Sequence, residues 1–301
     1  MKLIKIWLIL LVTFSSVKLS ACDVCGCSMG GTSMGILPQF HKNFVGLHYY
    51  YRDFTSEHVS LITDEKTVSI EKFQTYELRG RFHVGKRIQL FVLAPVHVNQ
   101  QLENNVLSRF NGIGDISTFA NYSIFNNADS LKSKWKHNLQ AGGGIKLPTG
   151  KYKRLDQNQV LNPNIQTGTG SFDLILDAIY TLRLNKIGLN NTAFYRINTT
   201  NSNDFKFGDR FTLTSSFFYW AKIKEHTLLP SIGINIDHAQ SDVHNSFRVA
   251  DSGGASVFMT YGLDFYFKKI MVAANFQLPM YQDSPITQSK LKFGATFLYN
   301  F

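Results

Sequence analysis

The sequence predicts an all-β chain: a transmembrane antiparallel β-barrel of about 12 strands, closed on itself, over residues 44–301. Three observations carry the prediction. Apolar and polar residues alternate with period two over segments of about 10 to 14 residues, longer than a typical soluble strand and suited to a tilted membrane-spanning one. Composition favours strands, with 25 Phe and 13 Tyr against only 7 Pro. The chain also ends on Phe297, Tyr299 and Phe301 at two-residue intervals, similar to the C-terminal aromatic signal of Gram-negative outer-membrane barrels. Beyond the first 21 residues no run of 18 apolar residues occurs, which excludes a helical membrane protein.

The first element is a leader. Lys2 and Lys5 precede the short apolar run IWLILLVTF, the layout of a secretory signal peptide over 1–21. Removing it takes away Lys2, Lys5 and Lys18, so the formal charge falls from +10 to +7. The remaining basic residues are scattered rather than clustered and the chain is exported, so nucleic acid is excluded as a partner.

Residues 22–43 form a Cys/Met/Gly-rich segment placed at the periplasmic end, and hold every cysteine of the chain: Cys22, Cys25 and Cys27. Three readings stand side by side. The thiolates, with Met29, His41 and His48 close in sequence, suit one soft ion, Cu(I) or Zn(II). LSAC at 19–22 resembles a bacterial lipobox, which would make Cys22 an acylated anchor. Cys22 and Cys25 could also pair as a disulfide in an oxidising compartment.

The strands follow at 44–54, 70–84, 87–99, 112–126, 136–149, 169–184, 187–200, 208–222, 225–240, 253–268, 270–282 and 289–301, separated by turn-rich stretches such as DHAQSDVHNS. An even count brings both chain ends to one side of a closed barrel. If the apolar phase faces lipid, the other phase lines a lumen. Strand two then turns Glu77, Arg79, Arg81 and His83 inward. His48, Arg52, His97, Asp115, Lys146, Asp173, Asp177, Arg183, Arg196, Arg210, Asp237, Asp264 and Lys292 share that side. Tyr49, Tyr51, Tyr180, Tyr261, Tyr281 and Tyr299 suit interfacial girdles. Charges of both signs in one lumen have two readings, a network that fills a narrow barrel or a constriction that selects solutes.

GIGDISTFANY (112–122), GGGIKLPTGKY (142–152) and QTGTGSFDLILDAIY (166–180), in that order, resemble the outer-membrane channel family named for aromatic meta-cleavage (phenol) degradation pathways. The resemblance covers the middle third and implies a barrel that carries small, often hydrophobic molecules. It is silent on the cysteine segment. No catalytic constellation is visible, since nothing in the sequence gives Ser171 and His137 a reason to meet. The expectation is therefore a non-enzymatic outer-membrane channel for a small-molecule or metal solute, with outer-membrane lipid and the barrel-insertion machinery as partners. Its alternative is a non-conducting structural or binding barrel anchored through Cys22.

Overall fold

The structure, a computed structural model, describes residues 42–59, 66–127, 133–153, 155–156, 159–160, 162–250, 252–283 and 287–301. The leader and the residues Cys22, Cys25, Cys27, Met29 and His41 lie outside the described residues.

Among these residues the wall has twelve strands: β1 (Phe44–Val59), β2 (Lys66–Val84), β3 (Ile88–Glu103), β4 in two segments (Val106–Ile113 and Ile116–Asn126), β5 (Trp135–Leu147), β6 (Asp173–Leu184), β7 (Ile187–Ile197), β8 (Arg210–Tyr219), β9 (His226–Ala239), β10 (Gly254–Phe267), β11 (Ile270–Gln282) and β12 (Thr287–Asn300). Each pairs antiparallel with its neighbour, and β1 pairs with β12, from Phe44 opposite Asn300 to Ser56 opposite Thr287. The barrel is closed, so no strand edge is left to find a partner. Each strand matches one expected from the sequence. The expected segments fall short on β1 to β4, because the antiparallel ladder continues past the apolar alternation into stretches such as TSE (55–57) and QQ (100–101), polar on both faces.

One end has tight turns. Gly85–Arg87, Asn185–Lys186 and Lys268–Lys269 close hairpins there, with Gly85, Asn185 and Lys268 at positive φ as such turns require. Both described chain ends lie at this end, where Phe301 N donates to Asn43 O at 3.0 Å. The opposite end carries the longer connections 148–172, 198–209 and 240–253.

The wall is inside-out relative to a soluble domain. Leu47, Leu176 and Phe172 are 59%, 52% and 62% exposed on the outer face, while Arg52, Arg81 and Lys292 are 1%, 1% and 2% exposed on the inner. A water-soluble β-sandwich would reverse these values. Long cations persist inside because aromatic rings cover them: the Arg81 guanidinium sits 4.9 Å from the Phe44 ring centre, and Lys292 Nζ 3.7 Å from that of Phe258.

Candidate functional site: the barrel lumen

The lumen is built row by row across the strands, because cross-strand neighbours on one face share a height in the wall. Its best-defined part lies at the loop-bearing end of β4, β5 and β6. β4 is interrupted at Gly114–Asp115, which frees Asp115 from the ladder to accept hydrogen bonds. Lys146 on β5 lies between two carboxylates: Nζ is 2.9 Å from Asp115 Oδ2 and 2.5 Å from Asp173 Oδ2, the second a contact ion pair rather than a directed hydrogen bond. Asp115 also accepts from Gly150 N, Thr169 N and Thr169 Oγ1 at 2.9, 2.9 and 2.7 Å. Lys146 Nζ also donates to Thr169 Oγ1. Asp173 Oδ1 accepts from Ser171 Oγ at 2.9 Å and Thr199 N at 3.1 Å. A buried ion pair is tolerated when further hydrogen bonds satisfy its remaining lone pairs, as here. The three sequence motifs at 112–122, 142–152 and 166–180 supply Asp115, Lys146 with Gly150, and Thr169 with Ser171 and Asp173, so they meet in one network.

This latch holds the end of an arm, 162–171, that turns into the barrel mouth. Asn162 caps a short turn over Pro163–Ile165, and Ile165 packs against the edge-on pair Phe54 and Phe73 of β1 and β2, whose centroids are 5.6 Å apart. Asn99 on β3 donates to Ile165 O at 2.8 Å.

The other expected lumen residues fall into separate groups. Arg79 Nε meets Glu77 Oε1 at 2.5 Å, and Arg81 donates to Lys42 O at 2.6 Å. His83 N donates to Asn43 Oδ1 at 2.9 Å. Arg52 lies 5.4 and 5.3 Å from the Tyr50 and Phe73 ring centres. Arg210 Nη1 is 3.3 Å from Asp237 Oδ2, whose partner oxygen accepts from Thr212 Oγ1 at 3.0 Å. Asp177 accepts from Asn121 Nδ2 at 2.5 Å. His48 is buried with Nδ1 2.8 Å from Thr296 Oγ1, and among the described residues no three His, Cys, Asp or Glu side chains are grouped to hold a metal. Phe297, Tyr299 and Phe301 stand on the outer face, 47%, 43% and 50% exposed.

Ser171 and His137 do not meet. Ser171 lies in the latch, whereas His137 sits at the tight-turn end of β5, with Nδ1 2.9 Å from Tyr180 OH. On β5 Lys146 of the latch lies nine positions beyond His137, roughly 30 Å of strand.

Sequence reasoning missed the apolar side chains inside the lumen. Phe44, Phe218, Leu229, Tyr266, Met271 and Leu298 form a buried cluster at the tight-turn end. On the opposite wall Phe91 stacks on Phe119 at 4.9 Å, Phe119 meets Phe194 edge-on at 6.0 Å, and Leu93 and Ile175 complete the group. The signal was parity: Phe91 follows Gln89, Phe119 precedes Asn121 and Phe73 follows Glu71, each two residues from a polar side chain of the inner face. Gly144 belongs to the same group, since a Cβ there would lie 2.4 Å from Phe119 Cα.

Outside the wall, Asp242 ties two loops of the open end together, accepting from Gly208 N at 2.7 Å. Burial pushes its carboxyl up to about 6, against the opposing pull of the Gly208 bond and of Arg210.

No family model matches the chain, and no curated protein matches it in sequence. Solved structures do. An outer membrane channel from Pseudomonas putida F1 superimposes with TM-score 0.62 at 14% identity, over 86% of this chain and 96% of the other. The β domain of the Bordetella autotransporter BrkA superimposes with TM-score 0.52 at 10% identity, over 86% and 100%. The chain has the fold of outer-membrane β-barrels. At these identities the likeness concerns the fold alone.

Proposed function

We propose that the protein is an outer-membrane β-barrel channel for a small solute, its tight-turn end periplasmic. The observation that carries this reading is the closed twelve-stranded wall with an apolar exterior and an interior in which polar and charged side chains outnumber apolar ones. In lipid every backbone amide needs a partner, and a closed barrel supplies them all. The likeness to the Pseudomonas channel supports the reading at the level of fold. The decisive experiment is reconstitution of the mature chain in planar bilayers. Discrete, steady conductance steps are the expected result, and a correctly folded but silent barrel overturns the reading.

A specific observation favours the second reading, a non-conducting structural or binding barrel: Arg52, Arg81 and Lys292 are almost wholly buried, and the Ile165 arm lies in the mouth. The same recordings separate the two.

The cysteine run adds a finer proposal, capture of Cu(I) or Zn(II) at the periplasmic face through Cys22, Cys25 and Cys27. Native and denaturing intact-mass measurements test it. A lipid-free chain that gains one metal, and loses it when Cys25 and Cys27 become Ser, is the expected result. Acyl chains on Cys22, with no metal gained, reduce the segment to an anchor.

A further inference from the structure

Asn121 on β4, Gly142 on β5 and Asp177 on β6 stand side by side in one row of the wall, facing the lumen. Because residue 142 has no side chain, the Asn121 carboxamide reaches across β5 and donates to Asp177 Oδ2 at 2.5 Å. A Cβ at 142 would sit 2.3 Å from Asn121 Oδ1. One oxygen of each group is left over: Asn121 Oδ1 and Asp177 Oδ1 have no hydrogen-bond partner among the described residues, although Asn121 is 1% and Asp177 6% exposed. The neighbouring inner-face carboxylates are unlike this one. Asp115 and Asp173 share Lys146, and Asp237 has Arg210. Asp177 has an uncharged amide as its partner, and a buried carboxylate without a cation beside it is costly.

The surroundings say which cation suits it. Phe194 is the direct cross-strand neighbour of Asp177 on β7, and its ring meets Phe119 edge-on, which in turn stacks on Phe91. Two leftover oxygens are far fewer than the six to eight that a calcium ion takes. An ammonium group differs: it needs a few acceptors for its N–H bonds, while aromatic faces attract its charge and cover its carbon chain. An anion would be repelled by the Asp177 carboxylate. We propose that Asp177 and Asn121, with the rings of Phe194, Phe119 and Phe91, form a lumenal binding site for the ammonium group of an organic amine. This deepens the channel reading by naming a solute class for its lumen.

The test is isothermal titration of the full-length, detergent-folded barrel with butylammonium, with butanol and butyrate as neutral and anionic probes of the same chain length. Saturable binding of butylammonium alone is expected. It weakens about tenfold or more in Asp177→Asn, which keeps the shape and loses the charge. It weakens a few-fold in Phe194→Leu, which keeps an apolar side chain and loses the ring. Equal affinity in Asp177→Asn, equal binding of butanol, or no saturable binding to the folded barrel overturns the proposal. Bilayer recordings on the same preparation keep the two readings apart. A barrel that conducts but binds no amine overturns the site alone, and one that binds the amine but never conducts supports the site and overturns the channel.

Discussion

The two ends of the lumen are packed in different ways. At the loop-bearing end, Lys146 between Asp115 and Asp173 fixes the arm that carries Ile165, with Asp115 and Asp173 also accepting hydrogen bonds from Thr169 and Ser171. At the tight-turn end, Phe218, Leu229, Met271 and Leu298 fill the space from four strands with no polar contact among them. The difference is one of specificity. An ion pair in low dielectric accepts one arrangement and is punished for any other. An apolar cluster tolerates repacking so long as volume is kept. The latched end positions a segment, and the apolar end packs side chains from several strands.

Substitutions at each end sharpen that contrast. The largest effect is expected for Lys146→Met, which leaves Asp115 and Asp173 buried without their cation. Unfolding in urea is expected to show a loss of about 3–5 kcal/mol, and a loss below about 1 kcal/mol would mean that the two carboxylates are rehydrated or neutral and that the latch is weak. At the other end, Leu229→Ala is expected to cost about 3 kcal/mol through cavity formation, with Leu229→Met nearly neutral. Equal sensitivity to Ala and Met would break the contrast, because it would make the apolar end as exacting as the ionic one.

Asp242 gives a smaller, pH-dependent effect. Its folded-state carboxyl titrates at about 6 instead of the ordinary 3.8. Between those values the folded chain keeps a proton that the unfolded chain has released, so stability falls as pH rises through the window and levels off above it. Asp242→Asn keeps an acceptor for Gly208 N and should abolish the fall, leaving the loops more stable at neutral pH by at most about 2–3 kcal/mol. Hydrogen exchange of residues 204–209 and 240–250, followed from pH 4 to 7.5, measures it, and an unchanged pH profile in the variant would remove Asp242 as the cause.

The smallest effect belongs to the arm. Ile165→Val removes one methylene from the contact with Phe54 and Phe73, an expected loss of about 1 kcal/mol. If the arm opens as a unit, trypsin should cut at the exposed Lys151 and Lys153 about fivefold faster in the variant. Unchanged cleavage would mean that the arm does not open as a unit.

The twelve strands were legible in the sequence, because period-two alternation sets apolar and polar residues on opposite faces of each one. It does not reveal bulges such as that on β12, where Ser289 and Lys292 are both buried although three residues apart. Glu77, Arg79, Arg81 and His83 share a face for that reason alone. The alternation fades where both faces turn polar, so the upper ends of β1 to β4 extend past it. What the tertiary structure decided is which inner residues meet. Asp115, Lys146 and Asp173 lie 27 to 31 residues apart, and cross-strand register with the break at Gly114–Asp115 brings them together. Asn121 reaches Asp177 only because register sets glycine between them. Alternation fixes the face of a residue and leaves its height in the wall undetermined; strand pairing supplies the height, and a lumen is made of residues that share both.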